Sequence, residues 1–347
     1  MIVNFDKEHP QNLKIKKNKR KGKFIKSILI ILFFIGVFFI LVLKSGYFGV
    51  IYDVYKITGH TVARKNNTTT TNYNKYKYAN KFTNILILGS DTDQKFNPQS
   101  ILTQTIMIAS INPYQKKVYL ISIPRDFWIK IPNYYQNGGY SKFDTASEIG
   151  GISLTRSLVE KYFGIKIDYY AWVGLKGFIK VVNTFGGVNI VPTHPVLDWS
   201  YPNDLTGNPN LLYSAINLYI PGSPQYMNGF RTLEYVRSRH GDLMGDFGRA
   251  KRQQQVLRII EKKMHTQSTI SQIPSLFNQL SNVIRTDMNI PQIIGLAQEG
   301  LGIHSSSIKS IVLSPPNYST IALAYGQDIV EPRWNKINQL FTKLYGE

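Results

Sequence analysis

A long apolar run occupies residues 28–43 and contains no charged side chain. The hydrophobic character resumes after Lys44 and continues to residue 52. A helix needs about 20 apolar residues to cross a bilayer. This stretch reaches that length when Lys26 and Lys44 extend their ammonium groups to the membrane surfaces. We therefore predict one transmembrane helix over residues 27–52, with any folded domain on one side of it.

Positive charge is concentrated before this helix. Residues 1–44 contain ten lysines and arginines against two acids, a net charge of +8, which leaves +12 of the total +20 for the remainder. The basic residues of segment 1–26 predict a cytoplasmic N-terminus and an external C-terminal part. Because no small-residue cleavage site follows, the helix is interpreted as an uncleaved anchor. We expect the basic tail to contact anionic membrane lipid and not nucleic acid. The remaining positive charge is typical of a protein that binds a polyanion.

Composition divides the chain after the membrane segment. Residues 53–80 are polar and rich in Asn and Thr, which predicts a flexible stalk. Residues 81–347 are predicted to form the folded domain. Hydrophobic residues make up 43% of the chain, enough for a sizeable core. The absence of cysteine excludes disulfides, thiol catalysis and cysteine-ligated zinc.

Short apolar strands alternate with segments of helical spacing in this domain. Strands are predicted at residues 81–88, 104–111, 117–123, 188–191 and 308–313, and helices at 152–163, 178–185, 246–264, 290–300 and 333–344. The alternation predicts a single α/β/α layered domain with a central, mostly parallel or mixed sheet. Residues 142–151 are interpreted as a loop. Residues 194–231 contain five prolines and show no period, so we interpret them as a long irregular lid or acceptor-binding flap.

The stretch 237–255 is unusually rich in arginine. Residues 233–239 have β-branched and aromatic side chains and are interpreted as a short strand. In a strand, Arg237 and Arg239 would point to the same side, because alternate residues share a face. This interpretation places two guanidinium groups next to each other.

A helix is predicted to begin near Asp246, which is a plausible N-cap. One face of this helix combines basic, polar and apolar side chains: Arg249, Arg252, Gln253, Val256 and Ile260. Cations at a helix N-terminus oppose the macrodipole. Four arginines with too few acids nearby therefore predict a bound anion, and phosphate suits both guanidinium groups and helix amides. The alternative is a solvated basic surface whose arginines pair with distant acids.

Other polar residues follow predicted strands. Asp91 and Asp93 follow the first strand and Arg125 follows the third, at the edge where α/β sheets place their sites. The two carboxylates are either site residues or turn formers. His240 beside the arginines is either a base or a surface residue. The six histidines lack metal-ligand spacing, and no Walker, Rossmann or nucleophile-elbow motif is present.

Six motifs follow one another along the chain: ILILGSD, SIPRDFW, GGVNIV, PGSPQYMNG, TLEYVRSRH and GDFGRAKRQQQVL. Together with the apolar anchor they resemble the LytR-CpsA-Psr family of bacterial cell-envelope enzymes, over residues 81–263. The resemblance implies a single-pass protein of the bacterial plasma membrane with an extracytoplasmic α/β/α domain. It also implies transfer of a phosphate-linked glycopolymer, such as teichoic acid or capsule, from a polyprenyl pyrophosphate carrier to peptidoglycan.

The resemblance assigns roles to individual residues. It implies that Asp91 binds Mg²⁺, or Mn²⁺ in its place, and that the pyrophosphate is bound by Arg125, Arg237, Arg239, Arg249 and Arg252. The catalytic group expected from it comprises one carboxylate and three arginines: Asp91, Arg125, Arg237 and Arg239. Further substrate contacts are expected from Asp246, Gln253, Gln254 and Gln255. Val256 and Ile260 either guide the prenyl tail or simply pack in the core.

One position departs from the family pattern. Gln104 stands where the family usually has a second metal-associated Asp. Magnesium prefers carboxylate oxygen to a neutral amide. The expected metal site is formed by Asp91, Asp93 and Gln104, and either Asp93 or Asp144 supplies the missing charge. The alternative is a non-catalytic protein that binds polyprenyl-pyrophosphate-linked polymers.

Overall fold

The computed structural model describes residues 82–91, 102–203, 214–240, 245–264, 267–301 and 303–346. The predicted cytoplasmic tail (1–26), transmembrane helix (27–52) and stalk (53–80) lie outside these residues, as does Asp93. Within the described ranges, no helix is long and apolar enough to cross a membrane.

The elements are numbered here in chain order. The strands are β1 (Thr83–Ser90), β2 (Thr103–Asn112), β3 (Lys117–Ile123), β4 (Trp128–Lys130), β5 (Tyr140–Lys142), β6 (Tyr169–Val173), β7 (Val188–Ile190), β8 (Val196–Pro202), β9 (Ala215–Ile220), β10 (Gln225–Met227), β11 (Ile284–Thr286), β12 (Ile308–Val312), β13 (Ser319–Ala324) and β14 (Gln327–Pro332). The α-helices are α1 (Thr145–Phe163), α2 (Leu175–Thr184), α3 (Gly229–Arg237), α4 (Gly245–Met264), α5 (Gln267–Leu280), α6 (Ile290–Leu301) and α7 (Trp334–Tyr345). Two 3-10 helices span Gln136–Gly139 and Ser305–Ser307.

A six-stranded sheet forms the centre of the domain, in the order β11-β6-β1-β2-β3-β12. Antiparallel pairs join β11 to β6, β1 to β2 and β2 to β3, whereas parallel pairs join β6 to β1 and β3 to β12. The prediction of an α/β domain around a mixed sheet is confirmed. The sheet is not mostly parallel, because the short β2–β3 turn at residues 113–116 allows only an antiparallel pairing.

Side chains of β1 alternate between two hydrophobic layers. Leu86 and Leu88 face a core built with α1 and α7, to which Leu158 and Phe341 belong. The opposite face of the sheet packs against α4 through Leu257. Each buried aliphatic side chain of this kind contributes roughly 1.5–3 kcal/mol. Both faces of the sheet are therefore covered by helices.

A second hydrophobic core lies beside the sheet. It joins α2, α3 and the second half of α4 to β7 and to the β8–β9 hairpin, and it contains Val182, Val188, Leu218, Leu233 and Val256. This core packs α3 against α4. The end of α3, the residues that follow it and the first half of α4 carry the arginines of the 237–255 stretch.

The strand predicted over residues 233–239 is wrong. Residues up to Arg237 belong to α3, and Arg239 follows in irregular structure. Asn228 caps this helix by accepting a hydrogen bond from the Arg231 amide at 2.9 Å. The β-branched and aromatic residues of the segment favour strands only weakly, so the cap and burial in the second core decide its conformation.

Two predicted irregular segments are also partly wrong. Residues 142–151 include the start of α1, which is interrupted at Gly150 and Gly151 by non-helical backbone angles. Residues 194–231 include the β8–β9 hairpin and β10, although 204–213 lie outside the described residues. The described prolines of this stretch flank or end the strands, which are the positions where sheets tolerate proline: Pro195, Pro202, Pro221 and Pro224.

Candidate functional site

Three strands bring polar side chains to one edge of the central sheet. β1 and β3 end at this edge, and β2, which is antiparallel to both, begins there. Asp91 follows β1, Gln104 is the second residue of β2, and Arg125 lies two residues beyond β3. The strand topology therefore gathers residues that are distant in sequence.

Helices α3 and α4 complete the same edge. Arg237 ends α3, where a cation suits the helix dipole, and its Nε lies 3.7 Å from Asp91 Oδ1. Arg239 follows two residues later. α4 places Asp246 in its first turn and Arg249 one turn further on.

Asp246 lies between three arginines. Its Oδ2 accepts hydrogen bonds from Arg125 Nε and Arg249 Nη2, each at 3.2 Å. Its Oδ1 lies 3.6 Å from Arg239 Nε. Burial alone would raise the pKa of Asp246, but the three guanidinium groups outweigh burial and hold the pKa below its ordinary value. The ionised carboxylate thus gathers three cations at the N-terminus of α4.

Gln104 joins the same three arginines through its two oxygens. Its side-chain Oε1 accepts hydrogen bonds from Arg125 Nη1 and Arg239 Nη2, both at 2.5 Å. Its backbone carbonyl accepts one from Arg249 Nη2 at 3.3 Å. We refer to Arg125, Arg239 and Arg249 as the arginine cluster.

The arginine cluster contains guanidinium groups that are poorly solvated. Arg249 is 5% exposed, and burial lowers its pKa to about 10 although Asp246 opposes the shift. Burial also lowers the pKa of Arg239, and repulsion from Arg125 adds to the effect while Asp246 opposes it. A phosphate anion between these side chains would compensate both the burial and the repulsion.

The expectation of too few acids near the arginines is wrong. Asp126 Oδ2 lies 3.5 Å from Arg125 Nε, and Asp144 Oδ2 lies 3.7 Å from Arg125 Nη1. Burial lowers the pKa of Arg125, but Asp126, Asp246 and Asp144 more than offset it, so the pKa is raised. The case for an anion therefore rests on the number of converging donors and not on excess positive charge.

Arg252 is placed differently from the other predicted pyrophosphate ligands. It is 5% exposed and donates hydrogen bonds to the carbonyl oxygens of Tyr235, at 2.6 Å, and Ser238. Its guanidinium also lies 5.6 Å from the centre of the Tyr235 ring. Arg252 thus ties α4 to the end of α3. Its direct contact with pyrophosphate stays a prediction.

The three glutamines after Arg252 face different neighbours. Gln253 lines both cavities beside the arginine cluster. Gln254 is 3% exposed and donates to the carbonyl oxygen of Ile311 at 2.8 Å, which joins α4 to β12. Gln255 accepts a hydrogen bond from the Tyr235 hydroxyl at 2.7 Å. Of the three, Gln253 is the best placed to contact a ligand.

Two small cavities open beside the arginine cluster. A cavity of about 40 Å³ is lined by polar side chains, which include Gln104, Arg125, Asp246 and Arg249, and by apolar ones such as Ile106 and Phe247. A cavity of about 120 Å³ is lined by both charged and apolar side chains, among them Asp91, Arg237, Arg249, Phe178, Leu233 and Leu257. The second cavity therefore combines ionic and apolar walls.

A larger apolar cavity, which we call the apolar chamber, lies next to the second cavity. It has a volume of about 330 Å³ and lies between β1, β2, β3 and the helices α4 and α6. The two cavities share Ile87 and Leu257 in their walls. Ile260 and Val256 both belong to the second hydrophobic core, and Ile260 also lines the chamber. Of the two predicted tail guides, Ile260 alone borders this space.

The predicted metal ligands do not fit a divalent cation as they are arranged. In the part of the chain that the structure describes, no group of three or more His, Asp or Glu side chains is placed to hold a metal ion. Gln104 Oε1 faces two guanidinium groups, which would repel a cation. Asp91 pairs with Arg237, and Asp93 is outside the described residues. Binding of Mg²⁺ or Mn²⁺ stays a prediction that these contacts do not favour.

Sequence reasoning missed a buried acid beside the site, Asp198 of β8, which is 2% exposed. Its Oδ2 accepts hydrogen bonds from Ser238 Oγ at 2.8 Å and the Arg239 amide at 3.0 Å. Burial would raise the pKa of Asp198, but hydrogen bonds from Ser238, Arg239 and Ser200 lower it below its ordinary value. The signal was the alternation of β8, which points Asp198 inward together with Val196.

This arrangement suits a ligand that has several anionic oxygens and an apolar tail. Guanidinium forks and the N-terminus of α4 meet at the edge of the sheet, and a cavity with apolar walls lies beside them. Phosphate oxygens match the forks because each guanidinium offers parallel N–H donors. The apolar chamber would remove a hydrocarbon tail from water.

Comparison with known proteins agrees with this geometry. A family model described as the LytR_cpsA_psr family matches residues 51–343. The chain is 28% identical over 205 residues to the polyisoprenyl-teichoic acid–peptidoglycan teichoic acid transferase TagU of Enterococcus faecalis, covering 59% of this chain and 61% of TagU. It is 31% identical over 236 residues to the regulatory protein MsrR of Staphylococcus aureus, covering 67% of this chain and 64% of MsrR.

The fold is also shared with a solved structure. The crystal structure of TagV from Bacillus subtilis aligns with a TM-score of 0.62 and 24% identity, over 77% of this chain and 98% of that one. The chain spans less than two thirds of the length of TagU and MsrR. Because the family model covers most of the sequence, the resemblance seen in the motifs is confirmed, and the chain belongs to the LytR-CpsA-Psr family.

Proposed function

We propose that this protein is a membrane-anchored phosphotransferase. It moves a phosphate-linked glycopolymer, of the teichoic acid or capsule type, from a polyprenyl pyrophosphate carrier to peptidoglycan. Residues 27–52 form its anchor, and residues 81–347 lie outside the plasma membrane. TagU is named as a transferase that uses polyisoprenyl-linked teichoic acid and peptidoglycan, which supports this proposal.

The observation that carries the proposal is the junction between charge and hydrocarbon. Arg237 and Arg249 line the same cavity as Ile87 and Leu257, and the last two also line the apolar chamber. A polyprenyl pyrophosphate has the same division between a diphosphate and an apolar chain. A hydrophilic phosphate compound would leave the chamber unused.

The chemistry follows from these positions. A sugar hydroxyl of the acceptor attacks the phosphorus next to the glycan, and lipid phosphate leaves. Negative charge grows on the phosphoryl oxygens in the transition state, and fixed donors stabilise it most when they need no reorganisation. Asp246 and Gln104 hold the arginine cluster in position before any ligand binds. No step of this scheme depends on a metal ion.

A non-catalytic binding protein is the second candidate function. Gln104 favours it, because a neutral amide replaces the expected carboxylate and is engaged by two arginines. Such a protein would hold a polyprenyl-pyrophosphate-linked polymer without releasing lipid phosphate. Binding is common to both candidates, and turnover separates them.

Arg239→Ala tests the binding site that both candidates share. We expect it to weaken binding of a polyprenyl pyrophosphate by about 2 kcal/mol, roughly 30-fold in Kd, because a charge-assisted contact is lost. Calorimetric titration of the full-length protein in detergent measures this. Lys336→Ala is the control, since it removes one positive charge from an exposed position on α7. Equal affinity of wild type, Arg237→Ala and Arg239→Ala would contradict the proposed site.

Turnover is measured with a polyprenyl-pyrophosphate-linked glycan and peptidoglycan. Release of lipid phosphate that depends on the acceptor supports the transferase. Reactions with Mg²⁺, with Mn²⁺ and with a chelator show whether a divalent cation takes part. Tight binding without release under all three conditions would establish the binding protein instead.

A further inference from the structure

Asp198 and His240 form a pair at the border of the arginine cluster. His240 Nδ1 lies 3.1 Å from Asp198 Oδ1, and the His240 amide donates to Asp198 Oδ2 at 3.3 Å. The Asp198 side chain is 2% exposed, whereas the His240 side chain is 51% exposed. One end of the imidazole is therefore fixed by a buried carboxylate while the side chain as a whole remains accessible.

The contacts of Asp198 determine which imidazole nitrogen carries the proton. An ionised carboxylate only accepts hydrogen bonds, so the contact with Nδ1 requires a proton on Nδ1. Neutral His240 then has its lone pair on Nε2 and can accept a proton there. The second oxygen of Asp198 is occupied by Ser238 Oγ and the Arg239 amide, which prevents the carboxylate from turning away. Asp198 thus fixes both the ring and its tautomer.

The surroundings of His240 suit a carbohydrate hydroxyl. The preceding residue, Arg239, belongs to the arginine cluster and binds Gln104. The Trp199 indole, which is 66% exposed, lies 6.3 Å from the imidazole between ring centres. Leu197 and Tyr219 are paired across the same hairpin and are also exposed. An apolar aromatic surface beside a base is a suitable place for a sugar ring whose hydroxyl must lose a proton.

We propose that His240 is the general base for the acceptor hydroxyl and that Asp198 is its positioning residue, an inference that rests on the proposed transferase function. The acceptor oxygen forms a bond to the phosphorus next to the glycan while its proton moves to His240 Nε2. The bond from that phosphorus to the bridging oxygen breaks, and its electron pair leaves on the lipid phosphate. Water later removes the proton from the imidazolium. Trp199 contacts the acceptor sugar.

A purely structural role for His240 would consist of its hydrogen bond to Asp198. His240→Asn separates the two roles, because the Asn amide can replace Nδ1–H as a donor but supplies no base. We expect this variant to lose about 100-fold in kcat, within the range typical of general-base catalysis. Affinity for a polyprenyl-pyrophosphate-linked disaccharide should stay unchanged. His304→Asn is the matched control, since His304 lies in an exposed loop and its ring bonds to the neighbouring Ser306.

His240→Ala provides a second and independent test. Imidazole added to the solution should restore part of its kcat with uncrosslinked peptidoglycan as acceptor, and it should have no such effect on His304→Ala. A structural defect would not respond to imidazole. The full-length protein in detergent is used throughout, with a thermal melt of each variant.

The outcomes distinguish the inference from the proposed function. If wild type turns over and His240→Asn matches it, the inference is overturned and the transferase stands. Loss of kcat in both variants without rescue of His240→Ala by imidazole also overturns it. If wild type binds the carrier and never releases lipid phosphate, the transferase itself fails, and the assignment of a base fails with it. Loss of kcat with rescue and unchanged affinity supports the inference.

Discussion

Asp144 is a buried carboxyl group beside Arg125, and burial raises its pKa to about 6 although Arg125 opposes the shift. Its ordinary value is 3.8, so between these values the folded protein binds more protons than the unfolded chain. Proton binding to Asp144 therefore stabilises the folded state. This stabilisation is fully present below the unfolded pKa and is lost as the pH rises through the folded pKa. A difference of about 2 between the folded and unfolded pKa corresponds to about 3 kcal/mol of unfolding free energy.

This sign predicts the behaviour of Asp144→Asn. Asn does not titrate at this position. The unfolding free energy of the variant minus that of wild type should therefore rise by up to about 3 kcal/mol from about pH 4 to pH 7. Urea unfolding at several pH values measures the difference. Asp328→Asn, at an exposed position in β14, is the control. A difference that is constant across this pH range would show that Asp144 has no raised pKa.

Individual site residues were predictable where their chemistry is distinctive. Arg125, Arg239 and Arg249 were expected to converge, and the structure brings them together. Asp144 and Asp246 were also singled out, but their pairing with Arg125 was not predicted, and Asp126 was not considered. For Arg252, the position in the chain was predictable but the hydrogen-bond partners were not. Its position on α4 was predicted, but its carbonyl partners depend on the end of α3, which was expected to be a strand.

Among the elements, α3 depends most on close packing. Gly229 begins the helix, and a Cβ atom at this position would lie 2.2 Å from the backbone oxygen of Ile179 in α2. We expect Gly229→Ala to destabilise the protein by about 1–3 kcal/mol, because a backbone atom cannot move aside as a side chain can. The end of α3 carries Arg237, so pyrophosphate affinity should also fall.

The control for this prediction is another helical glycine. Nothing lies within 4 Å of a Cβ atom built at Gly295 in α6. Gly295→Ala should be neutral or stabilising by up to about 1 kcal/mol, because alanine is the better helix former. Denaturant unfolding of both variants measures the contrast. Equal stability of the two would mean that α2 and α3 are not packed as closely as described.

Strands and helices could be predicted from the sequence where their local pattern of apolar residues is strong. The core strands β1, β2 and β3 were predicted because each contains a continuous apolar run, and α7 was predicted because its apolar residues recur at helical spacing. α3 and the β8–β9 hairpin were not. Both are short, and both pack in the second hydrophobic core. The alternation of buried and exposed residues in β8 is a signal too short to stand out among the surrounding prolines. The hairpin β13–β14 was also missed, since its outward side chains Ile321 and Leu323 are exposed and apolar.

Across the whole molecule, the sheet separates two kinds of interior. One face packs tightly against α1 and α7, where the rings of Phe163 and Phe341 lie with their centres 5.1 Å apart and are tilted by 31°. The other face borders the apolar chamber below α4 and α6. The sequence predicts helices on both faces but not the difference between them, because apolar strand residues look the same whether a core or a cavity covers them.

The apolar chamber leads to a prediction about ligand length. Each added isoprene unit that enters it should strengthen binding by about 1–4 kcal/mol, from about 0.8 kcal/mol per buried carbon less the loss of chain freedom. The gain should stop when the chamber is full. Ala297 lies in the chamber wall on α6, so Ala297→Trp should abolish the dependence on chain length.

Inorganic pyrophosphate has no apolar tail, so its binding tests the arginine cluster separately from the apolar chamber. Its affinity should be the same in wild type and Ala297→Trp, because the arginine cluster lies outside the chamber. Leu323→Trp, at a position 72% exposed in β13, controls for the added indole. Calorimetry with polyprenyl pyrophosphates of increasing length gives the comparison. If Ala297→Trp binds long and short chains as wild type does, the tail takes another route, and the chamber below α4 has a different role.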